Sequence, residues 1–206
     1  MGYYIFSYGI NTGKIAAAFH SGDEKILQQV QETDTFDSYR DFLPSGKKTT
    51  PEKAIDDIIK NKPYDTESNF AYGYALICMC DALGEKLPYM QEIKLGYETD
   101  LVNECLDEDF NIKEMEIENK LFEKKIPFEI PAIDDWPMIG FLGGQGLAEL
   151  KKTLSKIKIT EEEIDELFEG DEADDDKGCA YQHIKGIMDN IDYCIDNNLE
   201  MISFCH

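Results

Sequence analysis

Basic residues are scarce in this chain, and arginine is almost absent. Twenty Lys and Arg residues stand against 43 Asp and Glu residues, and Arg40 is the single arginine. The formal net charge at pH 7 is −23 over 206 residues. Nucleic-acid binding depends on basic patches that neutralise phosphates, and docking on an anionic membrane needs them too. We therefore expect neither a nucleic-acid nor a membrane partner.

Long apolar runs are also missing. No uncharged stretch is longer than Ser68 to Cys80, which is shorter than the ~20 apolar residues that a membrane-spanning helix needs. The opening residues, MGYYIFSYGI, have no basic segment ahead of the apolar ones, unlike a secretory signal. We therefore expect a soluble, cytoplasmic protein whose six cysteines stay reduced.

Strand and helix patterns are abundant. Apolar, β-prone residues predict strands at Gly2–Ile10, Met138–Leu142 and Glu200–Cys205. The segment Asn69–Gly84 is apolar almost all the way round a helix, which predicts a helix that other elements surround. We expect one α+β domain over residues 1–206, mostly helical and packed on a small sheet that includes the N- and C-terminal strands.

The densest charge lies between Glu161 and Asp176, where eleven residues are acidic and none is basic. Such a block is typical of a solvated segment, so we expect a partly disordered loop ahead of a long helix over Cys179–Asn197. The alternating Asp residues and closing Glu of a calcium loop are missing. The functional interpretation is a surface for a basic protein, formed by Glu161, Glu162, Glu163, Asp174, Asp175 and Asp176.

Catalytic and metal-binding patterns are weak. The glycines at residues 143–146 match neither a P-loop nor a dinucleotide fingerprint, and they predict a structural turn. On a helix the side chains of Cys78 and Cys80 would point ~200° apart, so the two thiols could not bind the same metal ion. His183 has polar neighbours and is expected to be solvated, and His206 is expected to lie in a mobile terminus. We expect no catalytic residue, no cofactor and no metal ion.

Asp81 is the only acid on the buried helix predicted over residues 69–84. A carboxylate there must be paired, hydrogen-bonded or placed at the rim of a pocket. The simpler interpretation, which we favour, is that Asp81 points outward near the end of the helix. The alternative is a pocket that Asp81 forms with Tyr72, Tyr74 and Trp136.

Several segments occur in an order that resembles a known group of proteins. They are GYYIFSYGI, FAYGYALICMCDALGEKLP, PAIDDWPMIGFL and the C-terminal LEMISFCH. Together they resemble a group of bacterial proteins that is defined only as a domain of unknown function and is distantly similar to the YfbM-like family. The resemblance implies a single α+β domain in a bacterial cytoplasm, and it carries over no catalytic residue. The glycine turn at residues 143–146 departs from the helix-capping pattern of that group.

Two functions from different classes follow from these features. The first is a non-enzymatic interaction protein, in the form of an immunity-type inhibitor of a basic nuclease toxin, because an acidic surface steers and complements a basic one. The second is a small-ligand binder or enzyme that uses the pocket near Asp81. A pocket of several hundred Å³ with a buried acid would favour the second function, and a smooth surface with a broad acidic face would favour the first.

Overall fold

The computed structural model describes residues 2–170 and 172–206. Over these residues the chain forms strands and helices that alternate irregularly. In order they are β1 (Tyr4–Ile10), α1 (Thr12–Ala18), α2 (Glu24–Gln31), α3 (Asp34–Tyr39), α4 (Pro51–Ile59), α5 (Asn69–Leu83), β2 (Glu85–Lys86), β3 (Ile93–Lys94), α6 (Tyr97–Glu108), α7 (Ile117–Leu121), β4 (Met138–Leu142), α8 (Gly144–Leu154), α9 (Glu161–Phe168), α10 (Glu172–Asp196) and β5 (Glu200–Cys205).

The sheet is built around the two end strands of the chain. Its strands run in the order β2-β1-β5-β4, and β3 pairs with the other end of β1. All pairs are antiparallel, and the longest joins β1 to β5, from Ile5 opposite Cys205 to Ile10 opposite Glu200. The predicted fold class, a mostly helical α+β fold on a small sheet that includes both terminal strands, is confirmed.

Side chains of the central strands alternate between two cores. Ile202 and Phe204 belong to the core around α5, whereas Met201 and Cys205 belong to the core that includes α10. This alternation arises because successive strand residues point to opposite faces of a sheet. Helices α1 to α5 therefore cover one face, and α6, α7, α8 and α10 cover the other.

Helix α5 is the surrounded helix that its sequence predicts. Every residue from Phe70 to Cys80 is buried. Asp81 is partly exposed in the last turn, in agreement with the simpler interpretation of this residue. The charge of Asp81 adds to the effect of burial in raising the pKa of Tyr8.

In the described ranges, no helix combines the length and the apolar character that crossing a membrane requires.

The acidic block forms the starts of two helices. Because α9 begins at Glu161 and α10 at Glu172, the predicted disordered loop is wrong over the described residues. Carboxylates are favourable in a first helical turn, where they face the partial positive charge of free backbone N–H groups. Thr160 and Glu163 also form a reciprocal capping box at the start of α9. Asp171, which the predicted loop included, lies outside the described residues.

The cysteines are unpaired, as the sequence predicts. All six are free thiols, and four of them, Cys78, Cys80, Cys194 and Cys205, are buried. Burial raises the pKa of Cys78 and of Cys194 to about 12. These thiols are therefore protonated at neutral pH and pack as small apolar groups.

Candidate functional site

A cavity of about 650 Å³ opens beside the first turns of α5. This volume falls in the range that small-molecule sites occupy in proteins. Its wall is mostly aromatic, with polar groups at intervals. We call it the aromatic cleft and define it by the aromatic residues Tyr3, Phe42, Phe70, Tyr74, Trp136 and His206 and the polar residues Lys47, Asn69, Asp134 and Asp135.

The aromatic rings of the cleft pack in two groups. Tyr3 stacks on Trp136, with ring centroids 3.9 Å apart and planes 10° from parallel. The Phe42 ring lies edge-on to Tyr74 at 5.1 Å and to Phe70 at 5.7 Å. Tyr3 is 48% exposed and Phe42 is 45% exposed, so both rings offer apolar surface to the opening of the cleft.

Carboxylates lie along one side of the cleft. The Asn69 Nδ2 group donates to Asp134 Oδ2 at 3.0 Å and to the Ala132 carbonyl at 2.7 Å, which ties this segment to the start of α5. Asp134 and Asp135 are both exposed. Burial raises the pKa of the Tyr74 hydroxyl, and the nearby Asp135 carboxylate raises it further. A negative charge therefore sits beside an aromatic surface.

Gly73 explains why the segment that carries Trp136 can approach α5 so closely. A Cβ atom at Gly73 would lie 2.6 Å from Ile133 Cδ1 and 2.8 Å from the ring carbons of Pro137. Real Cβ atoms do not approach neighbours this closely, so a glycine is needed here. Gly73, between Tyr72 and Tyr74, therefore allows the segment that forms one wall of the cleft to pack directly against α5.

His206 forms part of the floor of the cleft, which corrects the expectation of a mobile terminus. Its Nε2 atom lies 2.6 Å from the Tyr39 hydroxyl oxygen, and its ring lies edge-on to Phe6 and Tyr39. The backbone of His206 continues the pairing of β5 with β1 through two hydrogen bonds to Tyr4. Burial lowers the pKa of His206, so its ring is neutral at pH 7.

The cleft unites half of the predicted pocket residues. Tyr74 and Trp136 line it, whereas Tyr72 and Asp81 do not. Residues two apart on a helix point ~200° away from each other, so Tyr72 and Tyr74 cannot share one cavity. Tyr72 faces α4, where its hydroxyl donates to Asp57 at 3.1 Å and accepts from the Asp65 backbone at 2.7 Å. Burial raises the pKa of Tyr72 to about 12.

The six predicted partner-binding acids form two separate groups. Glu161, Glu162 and Glu163 lie in the first turn of α9, where Glu161 pairs with Lys185 at 2.8 Å. Asp174, Asp175 and Asp176 lie near the start of α10, and the Tyr97 hydroxyl donates to Asp176 at 2.8 Å. Lys185 follows Asp174 by eleven residues on one helix, a rise of ~16 Å along α10. The exposed acids Asp165, Glu166 and Glu169 lie between the two groups in the sequence.

His183 is completely buried, so its expected solvation is wrong. Its Nδ1 atom lies 2.7 Å from the Tyr89 hydroxyl, and its Nε2 atom lies 3.4 Å from Cys179 Sγ and 3.2 Å from Glu98 Oε2. The ligand-type atoms of Glu98, Cys179 and His183 all lie within 4.8 Å of one another. A signal for part of this cluster exists in the sequence, since Cys179 and His183 are four residues apart on a predicted helix.

Comparison with known proteins yields one match. A family model described as a domain of unknown function, DUF7691, matches residues 1–206. No curated protein and no solved structure matches the chain.

Proposed function

The chain belongs to the DUF7691 family, and we propose that it is a small-molecule-binding protein whose aromatic cleft holds an organic cation. The observation that carries this proposal is the cavity of about 650 Å³ with aromatic walls and two carboxylates. A mainly apolar cavity with a few polar groups is the usual form of a ligand site. On the resemblance alone, we further propose a bacterial, cytoplasmic protein distantly related to the YfbM-like family.

The charge distribution favours a cation over an anion. Asp134 and Asp135 are both exposed on one side of the cleft, and Lys47 is the basic residue among the lining groups. The Lys47 ammonium donates to the Glu67 carbonyl, which fixes it at the rim. The overall charge of −23 raises the local concentration of cations at the surface. A ligand ammonium can therefore face two carboxylates, which outnumber the ammonium of Lys47 among the lining groups.

The aromatic rings favour a ligand that also carries a ring or alkyl group. The rings of Tyr3 and Phe42 are about half exposed. A ligand that covers them removes apolar surface from water, which makes the free energy of binding more favourable. A cation over an aromatic face adds a favourable interaction of about 0.5–2 kcal/mol. An alkyl or aryl ammonium compound satisfies both features.

A matched pair of probes tests the proposal. Trp136 is the only tryptophan, so intrinsic tryptophan fluorescence reports on the cleft. We expect 2-phenylethylammonium to change this fluorescence saturably, and to bind about 2- to 30-fold more tightly than the neutral 2-phenylethanol. The change Asp135→Asn is expected to weaken amine binding by up to about fivefold, because an ion pair is lost, and to leave the affinity for the alcohol unchanged.

Glu162→Gln is the control, because it removes the same charge at an exposed site on α9, away from the cleft. If Glu162→Gln weakened binding of the amine as much as Asp135→Asn does, the effect of charge on binding would be general rather than local to the cleft. Equal affinities of the parent protein for the amine and the alcohol would contradict the cation preference. Absence of any saturable change with either probe would overturn the proposal of a ligand-binding cleft.

A second candidate function is the acidic interaction protein, in the form of an immunity-type inhibitor of a basic toxin. The observation in its favour is that five of the six predicted acids are exposed. Their separation into two groups fits two contact areas on a large partner better than one small site. Electrostatic steering would raise the association rate of such a basic partner.

Salt dependence tests this second function. Charges are screened over ~10 Å at 0.1 M salt, so association with a basic partner should slow as salt increases. Changing Glu161, Glu162, Glu163, Asp174, Asp175 and Asp176 to Gln or Asn should slow association, with a smaller effect on dissociation. A pull-down from the host, followed by association kinetics at two salt concentrations, measures both effects.

A variant with the same total charge serves as the control, with Gln in place of the exposed residues Glu32, Glu52, Glu114, Glu116, Glu129 and Glu149. Equal slowing in both variants would assign the effect to net charge instead of to the two acidic groups. An acidic partner, or a rate that is indifferent to salt and to the six changes, would contradict this function.

A further inference from the structure

We propose that Glu98, Cys179 and His183 form a binding site for one zinc ion, with a fourth coordination position open to water or another ligand. The three residues lie on α6 and α10, on the opposite side of the sheet from α5. The proposal is therefore independent of ligand binding in the aromatic cleft. It departs from the sequence-based expectation that the chain holds no metal ion.

The distances between the donor atoms suit tetrahedral zinc. Zinc binds sulfur at about 2.3 Å and nitrogen or oxygen at about 2.0–2.2 Å, so tetrahedral angles place neighbouring donors about 3.4–3.6 Å apart. Nε2 of His183 lies 3.4 Å from Cys179 Sγ and 3.2 Å from Glu98 Oε2. The Cys179 sulfur and the Glu98 carboxylate lie within 4.8 Å of each other, so the three donors surround one point that an ion can occupy after local adjustment.

Neighbouring groups hold two of the three donors in place. The Lys94 backbone N–H donates to Glu98 Oε2 at 2.6 Å, which fixes the carboxylate at the start of α6. The Tyr89 hydroxyl lies 2.7 Å from Nδ1 of His183. When Nδ1–H donates to this oxygen, the Nε2 lone pair faces Cys179 and Glu98. A histidine that binds a metal uses its second nitrogen in this way.

Tyr89 itself is positioned by α10. The Asn190 side chain accepts from the Tyr89 backbone N–H at 2.8 Å and donates to its carbonyl at 2.9 Å. Gly186 leaves the space that the Tyr89 ring fills, because a Cβ atom at this position would overlap the ring. His183, Gly186 and Asn190 recur at steps of three and four residues, so one face of α10 positions Tyr89 and, through it, His183.

The arrangement does not suit a nucleophilic cysteine with a histidine base. In such a site, the nucleophile uses one ring nitrogen and the acidic residue uses the other. Here Cys179 and Glu98 both lie at Nε2 of His183. Three donors around one point are the geometry of a metal site.

The donor set selects zinc among common divalent ions. Calcium and magnesium prefer oxygen donors, whereas a thiolate and an imidazole suit zinc. Three protein ligands plus one open position is the form that zinc takes in sites where it binds an exchangeable ligand. Cys179 and Glu98 are only partly buried, so solvent can reach the fourth position.

Zinc and cobalt binding by the full chain test the proposal. After equilibrium dialysis, we expect one zinc ion per chain, and the cobalt-loaded protein should show a thiolate-to-cobalt charge-transfer band. Cys179→Ser should abolish this band and weaken zinc binding at least tenfold. Cys105→Ser should change neither, because Cys105 is also partly buried but lies outside the cluster. Tyr89→Phe should weaken zinc binding about 10- to 100-fold, because the hydrogen bond between Tyr89 and His183 is lost.

Glu98→Gln provides a second test if Cys179→Ser disturbs the fold, since Glu98 is 22% exposed and lies at a helix start. Zinc binding should weaken in this variant while the circular dichroism spectrum stays that of the parent. Two results would overturn the proposal. One is a parent protein that retains no zinc after dialysis. The other is zinc binding that Cys179→Ser and Glu98→Gln both leave unchanged.

Discussion

Replacing Ile77 with Asp is expected to lower the melting temperature by about 8–16 °C. Ile77 is fully buried in the middle of α5, a helix without a polar face. A carboxylate at this position has no partner, and an unpaired buried charge costs about 4 kcal/mol. For a protein of this size, each kcal/mol lowers the melting temperature by roughly 2–4 °C. Thermal unfolding followed by circular dichroism measures the effect.

Leu43→Asp is the matched control, because it makes a similar chemical change at a side chain that is 46% exposed. We expect its melting temperature to stay within about 3 °C of the parent value, since surface changes usually alter stability by less than about 0.5 kcal/mol. If Ile77→Asp unfolds at the parent temperature, α5 is not surrounded by other elements and the architecture described above is wrong.

Gly73→Val is expected to open one wall of the aromatic cleft and abolish ligand binding there. The new side chain would overlap Ile133 and the Pro137 ring, and the proline ring cannot rotate away. Over-packing of this kind typically costs about 1–3 kcal/mol. The segment that carries Trp136 must move from α5, so Trp136 emission should shift to longer wavelength and 2-phenylethylammonium should no longer change it.

Gly144→Val tests whether the effect is specific to this glycine. Gly144 also lies in a helix, but a Cβ atom there meets nothing within 4 Å. We expect this variant to keep the parent emission and the parent affinity for the amine. Parent-like emission and binding in Gly73→Val would show that residues 133–137 do not depend on contact with α5, and the account of how the cleft forms would fail.

The elements that could be predicted are those whose sequence has one dominant property. α5 is apolar on all sides, and β1 and β5 are apolar and β-prone, so burial and strand pairing follow directly. Free thiols also follow from the apolar positions of several cysteines. These features depend on local composition, which a sequence displays without any knowledge of distant contacts.

The acidic block is helical over the described residues although its charge density is typical of a disordered segment. A like-charge block can form a helix when a capping box begins the helix and acids occupy its first turn, as Thr160 and Glu163 show at α9. The burial of His183 also depends on contacts that its own segment does not display. Its polar neighbours suggested exposure, yet the long-range contacts of His183 with Glu98 and Tyr89 bury it.

The cleft could be predicted only in part, because it is assembled from segments far apart in the sequence. The chemistry of Tyr74 and Trp136 indicates a pocket, and both residues line the cleft. Tyr3, Phe42 and His206 were missed, since nothing local relates the end strands or the segment after α3 to α5. Tyr72 lies outside the cleft because alternate helix positions point ~200° apart, so it faces away from Tyr74.

The most direct test of the central claim is a crystal structure of the protein with 2-phenylethylammonium. We expect the ring of the amine to lie within about 6 Å of the Trp136 or Phe42 ring. Its ammonium should lie within about 4 Å of an Asp134 or Asp135 carboxylate oxygen. A saturated crystal in which the amine is bound elsewhere, with no density for it in the aromatic cleft, would contradict the account.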